Sequence, residues 1–209
     1  FEVDNDSLKD AVQSIRALKM LGSNISMPNK TVVHKYLDEV DEAAKLCGAI
    51  NTVVNMRDEN GQVTGKLKGY NTDGMGYWQG LKEEGIDFKG MKMVLIGTGG
   101  AATAIEIQAA LDGVSTLHIF NRKGRSWERA LKLADTINAN TSCKAAVSDL
   151  ADEASLRQAL EASTILTNAT SLGMAPHADT CPIPDASMLR PELIVSDIIY
   201  NPKQTRLLQ

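Results

Sequence analysis

Met93-Val94-Leu95-Ile96-Gly97-Thr98-Gly99-Gly100-Ala101-Ala102-Thr103-Ala104 carries the pattern that decides the fold. Four apolar residues read as a buried strand, the glycines as a turn, and the alanine-rich stretch as a helix. Gly97, Gly99 and Ala102 fill the slots of the dinucleotide-binding fingerprint, with alanine in the third. Gly97 permits the tight turn, Gly99 lets the backbone approach a pyrophosphate, and Ala102 lets helix and strand pack closely. The first helical N–H groups, from Gly100 and Ala101 onward, would face the phosphates, where the positive end of the helix dipole favours them. Taken alone, the stretch is also compatible with an ordinary strand-to-helix turn of an α/β domain.

Outward from it, strands and helices alternate strictly. Strands are expected at Val94–Ile96, Leu117–Phe120, Ala145–Val147, Ser163–Asn168 and Leu193–Asp197. Helices are expected at Thr103–Leu111, Trp127–Ala139 and Ala154–Ala162. Such alternation predicts a doubly wound parallel sheet. The segment before it is mixed. A strand remnant at Phe1–Val3 leads to a helix over Leu8–Leu21 that Gly22 stops. A strand follows at Asn24–Met27, then a helix over Thr31–Cys47. Strands at Ala49–Asn55 and Val63–Tyr70 are joined by the Asp58-Glu59-Asn60-Gly61 turn, and a helix covers Met75–Glu84. The glycine-bounded Gly85–Gly90 stretch separates the two patterns. The expectation is an α/β chain of two domains, residues 1–88 and a Rossmann-type NAD(P)-binding domain over 89–209.

A net charge of -4 gives no electrostatic reason to expect nucleic acid or a membrane surface. No apolar run approaches the roughly 18 residues of a membrane-spanning helix. Cys47, Cys143 and Cys181 are scattered and odd in number, which suggests free thiols in a reducing, cytoplasmic compartment. His34, His118 and His177 form no spaced cluster, so no metal site is expected. The chain starts at Phe1 and stops at Gln209 in what reads as the first turns of a helix. It therefore reads as an internal piece of a longer protein.

The loop after the second strand bears on cofactor choice. An NAD site usually carries an acidic residue there for the ribose 2′-OH. Here the loop is Asn121-Arg122-Lys123-Gly124-Arg125, with three cations and no carboxylate. A 2′-phosphate would suit it: Arg122 could stack on adenine, and Lys123 or Arg125 could bind phosphate. NADP is favoured over NAD, although a solvated basic loop has the same composition. Asn168-Ala169-Thr170-Ser171-Leu172-Gly173-Met174 follows another strand, at the sheet edge where ligands of such folds bind. Asn168, Thr170 and Met174 are cofactor candidates there. Tyr200, after the last strand, could flank a nicotinamide ring and touch substrate.

In the first half, Lys30, Asn51 and Asp73 sit just past strands or in short loops. Carbonyl reduction by hydride builds charge on oxygen, which an ammonium can stabilise and protonate. A carboxylate beside it can hold the lysine, and an asparagine can bond substrate hydroxyls. By spacing alone, Lys30 is more often a surface lysine, Asp73 a helix cap and Asn51 a turn former, and spacing would not single them out.

Together, Asn24-Ile25-Ser26-Met27-Pro28-Asn29-Lys30, Gly48-Ala49-Ile50-Asn51-Thr52, Gly69-Tyr70-Asn71-Thr72-Asp73-Gly74, Gly97-Thr98-Gly99-Gly100-Ala101, Asn121-Arg122 and Asn168-Ala169-Thr170 resemble the shikimate dehydrogenase family. They occur in the family's order over nearly the whole chain. The Ser-Met-Pro-Asn-Lys form looks most like the quinate/shikimate dehydrogenase branch. The resemblance implies reversible NADP-linked reduction of 3-dehydroshikimate to shikimate, on the way to chorismate and the aromatic amino acids. It makes Lys30 and Asp73 the catalytic pair and Ser26 and Asn51 ligands of substrate hydroxyls. It implies two α/β domains, the substrate domain first, with the active site in a cleft. The family's Ser-x-Ser loop would precede Phe1, and its helices bearing a substrate-binding glutamine would follow Gln209. The 209 residues alone are thus expected to have little activity. The quinate-accepting branch often has aspartate where Gly124 stands, which weakens the case for NAD. Other readings are a dual-substrate enzyme using NAD or NADP, a folate-linked two-domain dehydrogenase, and a non-catalytic dinucleotide-binding regulator. A small-molecule partner is expected in the enzyme readings, and exposed edge strands would suit a homodimer.

Overall fold

Leu8, Val12 and Ile15 lie one above another on helix α1 (Leu8–Ala17), and all three are buried in the computed structural model, which describes residues 1–209. α1 stops sooner than its apolar spacing predicts. Lys19 turns left-handed (φ 52°), its N–H donates to the Arg16 carbonyl and the Met20 N–H to the Ile15 carbonyl. That pair of bonds closes a helix end as a glycine would. Gly22 is therefore free to open strand β1 (Gly22–Asn24), which is shorter and earlier than expected. Phe1–Val3 joins no ladder; the Val3 carbonyl instead accepts the Asn29 side-chain amide at 2.7 Å.

The expected helix over Thr31–Cys47 is broken. Two 3-10 turns, Asn29–Thr31 and Val33–Tyr36, precede a two-residue strand β2 (Glu39–Val40) and a short helix α2 (Glu42–Cys47). The cause is tertiary. Strands β3 (Thr52–Arg57) and β4 (Val63–Tyr70) form the hairpin, and β2 pairs in parallel with β4 at Glu39–Lys68 and Val40–Gly69. The Asp38 carboxylate accepts the Leu67 N–H at 2.6 Å and the Arg16 guanidinium at 2.8 Å, which holds this segment extended. Asp41 then caps α2 through the Ala43 N–H. The sheet order is β1-β3-β4-β2, and Val33, Ile50, Val53 and Leu67 pack with α1 on it.

Helix α3 (Asp73–Glu83) contains the division between two packed units, Phe1–Tyr77 and Trp78–Gln209. Trp78 is 1% exposed, its indole N–H donates to the Ile105 carbonyl at 3.3 Å, and its ring lies 4.2 Å from that of Phe88. Burial of these rings draws residues 78–88 into the second unit. The division thus falls ahead of the junction expected near residue 88.

The second unit follows the alternation. Strands β5 (Lys92–Ile96), β6 (Thr116–Asn121), β7 (Lys144–Asp149), β8 (Ile165–Asn168) and β9 (Ile194–Asp197) form one parallel sheet in the order β7-β6-β5-β8-β9. Helices α4 (Gly100–Leu111), α5 (Trp127–Asn140) and α6 (Glu153–Ala162) fill the connections. The chain winds one way from β5 to β7 and the other way from β8 to β9, so its direction reverses between β5 and β8. Residues 205–209 form a 3-10 turn, Arg206–Leu208, where the first turns of an α-helix are expected. α4 is buried around most of its girth, and the side chain of Glu106 shares that burial with neither oxygen hydrogen-bonded.

Candidate active site

In the first unit, three strand ends converge. Asn24 of β1 pairs with Thr52 of β3, and Thr52 with Tyr70 of β4. Asn51 and Asp73, two of the candidate residues, lie just outside β3 and β4, and Lys30 follows β1 in the chain. Backbone bonds tie them together: Ile25 N–H to the Asn51 carbonyl (2.7 Å), Asn51 N–H to the Tyr70 carbonyl (3.0 Å), and Ile50 N–H to the Lys30 carbonyl (2.8 Å). The side chains form a directed chain. Thr52 Oγ1, Thr72 N and Thr72 Oγ1 donate to Asn51 Oδ1 at 3.0, 3.0 and 3.1 Å. Asn51 Nδ2 donates to Asp73 Oδ1 at 2.7 Å, and Asp73 Oδ2 lies 3.8 Å from Lys30 Nζ. The Thr72 N–H can only donate, which fixes the Asn51 amide with its nitrogen towards Asp73.

The Lys30 and Asp73 side chains are 31% and 43% exposed. An ion pair so open contributes roughly 0–1 kcal/mol to stability. Stability does not account for a network that aims one carboxylate at one ammonium. The arrangement suits proton transfer at a group reached from solvent, with the ammonium able to stabilise charge developing on oxygen. Ser26 is exposed nearby in the chain, its carbonyl accepting the Asn29 N–H at 3.0 Å.

In the second unit, a pocket of ≈ 250 Å³ opens at the carboxyl ends of β5, β6 and β8. Its place, at the reversal of strand order, is where open α/β sheets bind ligands. The glycines divide by role. Gly97 has φ +116°, and a Cβ there would stand 2.8 Å from the Ala169 carbonyl oxygen. A Cβ on Gly99 or Gly100 would meet nothing within 4 Å, and Gly99 has an ordinary φ of -72°. Neither backbone strain nor protein packing requires glycine at Gly99. The bare surface there, at the N-terminus of a 12-residue helix, fits the close approach of a pyrophosphate. The donors and cations of a nicotinamide dinucleotide site are thus present.

Asn121 lines this pocket, its amide donating to Ser126 Oγ at 3.0 Å, and Arg122 stands beside it. Lys123 does not line it: its ammonium lies 3.9 Å from Asp149 and 5.8 Å from the Trp127 ring centre. Arg125 is exposed and outside the lining. The second cation on the wall is Arg129, which the loop composition did not single out. Its signal was helical spacing: Arg129 falls three residues after Ser126, on the same face of the first turn of α5. Ala169, Thr170, Ser171 and Leu172 form the opposite rim. Asn168 is fully buried behind it. Met174 (45% exposed) and Tyr200 (88% exposed) lie outside this pocket.

Comparison with known proteins gives consistent matches. The family described as the shikimate dehydrogenase substrate binding domain matches residues 1–53. The NADP(+) shikimate dehydrogenase of Listeria monocytogenes serotype 4b is 52% identical over all 209 residues, which span 69% of that protein. The crystal structure of a shikimate 5-dehydrogenase from Listeria monocytogenes with shikimate and NAD superposes at a TM-score of 0.91, with 52% identity, all of this chain and 70% of that one. Quinate dehydrogenase from Corynebacterium glutamicum, solved with NAD, gives 0.78 at 32% identity over 96% of this chain and 67% of that one.

Proposed function

The chain belongs to the shikimate dehydrogenase family, and on that footing we propose that it catalyses the reversible NADP-linked reduction of 3-dehydroshikimate to shikimate. The observation that carries the reading is the chain of contacts Asn51–Asp73–Lys30, 2.7 Å and then 3.8 Å. The nicotinamide cofactor, when bound, supplies or accepts the hydride. Lys30 stabilises the charge that develops on the substrate oxygen and delivers the proton in the direction of reduction; it takes the proton back in oxidation. Asp73 holds the ammonium in place, and Asn51 holds Asp73. With its oxygen occupied, Asn51 has one amide hydrogen left for a substrate hydroxyl. Ser26 and Tyr200 are assigned to the substrate as well.

In the second unit, Gly97, Gly99, Gly100 and Ala101 form the cradle for the pyrophosphate. Asn121 and Arg122 bind the adenosine end. Arg129 joins Arg122 as reader of a 2′-phosphate, with Lys123 and Arg125 adding long-range charge. Thr170 borders the rest of the cofactor, Asn168 holds Thr170 from behind the rim, and Met174 is assigned to the cofactor from outside this pocket. A second reading, a dual-substrate enzyme that also oxidises quinate with NAD, is favoured by the likeness to the Corynebacterium quinate dehydrogenase. The free thiols at Cys143 and Cys181 fit a reducing, cytoplasmic setting. No helix is long and apolar enough to cross a membrane. Association into a homodimer is proposed from the open sheet edges, and light scattering tests it.

The deciding experiment follows NAD(P)H absorbance of the full-length protein with shikimate and with quinate, each against NADP and NAD. Turnover of shikimate with NADP is expected. Turnover of quinate with NAD favours the second reading, and no turnover of either acid refutes both.

A further inference from the structure

Asn168 and Asp197 are the last paired residues of β8 and β9, side by side at the carboxyl edge of the sheet. Asn168 Nδ2 donates to both Asp197 oxygens, each at 3.1 Å, and to the Leu172 carbonyl at 3.1 Å. Its Oδ1 accepts the Thr170 N–H at 3.1 Å and the Thr170 hydroxyl at 2.7 Å. Thr170 Oγ1 in turn accepts the Leu172 N–H at 3.0 Å. The Thr170–Leu172 turn is thus tied to one side chain, and that turn is a wall of the cofactor pocket.

An asparagine amide can flip, exchanging acceptor for donor. Here its partners permit one orientation. The carboxylate and the Leu172 carbonyl can only accept, and the Thr170 N–H can only donate. Asp197 supplies two of the acceptors that enforce this. Its own position is fixed by the Ile199 N–H at 3.0 Å and the Thr205 hydroxyl at 2.8 Å. Asp197 is not among the residues that line the pocket.

We propose that Asp197 is a positioning residue of the cofactor site: it sets the Asn168 amide, and through it the turn that borders the dinucleotide. This rests on reading the second unit as the cofactor domain. The backbone next to the turn has little freedom to compensate, because Ala169 already closes on Gly97. The Ile199 N–H can only donate, so an asparagine at position 197 keeps its oxygen at the Oδ1 place and puts an amide donor at the Oδ2 place. Asn168 Nδ2 then loses one of its two acceptors there and meets a donor instead, which loosens the Asn168 amide and the Thr170 contacts it holds.

The test compares Asp197→Asn with the exchanged pair, Asp197→Asn together with Asn168→Asp, in the complete enzyme. In the exchanged pair, the carboxylate now at position 168 would accept from Thr170 and from the amide now at position 197. The order of donors and acceptors is thereby restored, apart from the Leu172 contact. NADPH affinity is read by fluorescence titration, and the KM values for NADP and shikimate are read separately. Asp197→Asn is expected to weaken NADPH binding and raise the NADP KM about tenfold, with the shikimate KM unchanged. The exchanged pair is expected to recover most of that loss. An unchanged NADPH affinity in Asp197→Asn, an equal rise in both KM values, or an exchanged pair no better than the single variant overturns the proposal. If the single variant does not fold, the exchanged pair against wild type decides: near-normal NADPH affinity supports it and loss overturns it. A wild-type protein that binds NADPH but turns over no shikimate would refute the functional reading, and the binding comparison would still judge Asp197.

Discussion

Gly97 and Gly99 belong to one fingerprint, yet the structure gives them separable burdens, and alanine at each should separate stability from binding. At Gly97 the backbone sits at φ +116°, outside the range comfortable for a side chain, and the new Cβ would stand 2.8 Å from the Ala169 oxygen and 3.0 Å from its carbonyl carbon. Left-handed backbone and overpacking against rigid main chain together destabilise by about 2–5 kcal/mol. Gly99 is the N-cap of α4 with extended backbone, φ -72° and ψ -178°, and its Cβ would enter open space. Alanine is the poorer cap by a fraction of a kcal/mol, and the loss of unfolded-state freedom returns about as much, so the net change should stay within roughly ±0.5 kcal/mol. That Cβ nonetheless occupies the surface on which a pyrophosphate would lie. NADPH affinity should fall about tenfold or more. Denaturant unfolding measures the first quantity and fluorescence titration of NADPH the second. Equal destabilisation by the two variants would refute the division of roles. A Gly99→Ala protein that binds NADPH normally would refute the pyrophosphate cradle.

Lys30→Ala should lower kcat by ~10²–10⁴-fold, the usual worth of a positioned proton donor, while leaving NADPH affinity unchanged; an equal loss of cofactor binding would refute its assignment to substrate chemistry. Arg122→Ala and Arg129→Ala should each weaken NADP more than NAD, and more at low salt, whereas Lys123→Ala, whose ammonium already faces Asp149, should change the ratio little. Titration of both cofactors at two ionic strengths checks this. Glu106 titrates with a measurable sign. Burial pushes its carboxyl well above the ordinary 4.5, with the charge of Arg129 partly opposing. Below about pH 4 the group is neutral in both folded and unfolded chains and has no effect; as pH rises the unfolded chain ionises first, so the native state loses ground. Glu106→Gln should therefore gain stability relative to wild type as pH rises through and above the ordinary carboxylate range near 4.5, and a difference that is flat with pH would refute a buried neutral acid.

The second unit and the identity of its chemistry can be read along the chain. Alternating apolar runs and helical spacing are local signals, and in a parallel sheet covered by helices local burial and final burial coincide. β5, β6, β7, β8 and β9 accordingly lie where their runs predict, and the glycine turn lies between β5 and α4. Lys30, Asn51 and Asp73 were legible as candidates only through the motif resemblance, because spacing along the chain carries no information about three separate strand ends. Their convergence within 2.7 and 3.8 Å depends on the register of β1, β3 and β4.

The rest came from contacts between distant residues. The apolar spacing of residues 31–47 is helical, yet Asp38 and β2 are claimed by β4, because hydrogen bonds to a neighbouring strand outweigh a weak local propensity. Composition counted three cations in the loop after β6; packing against Asp149 and Trp127 turned Lys123 aside and left Arg122 with Arg129 on the pocket wall. Asp197 had no sequence signal as a partner of Asn168, since the two are neighbours only across a parallel ladder. Periodicity and glycine placement are written residue by residue, whereas the direction of a hydrogen bond exists only once two distant groups have been brought within about 3 Å of each other.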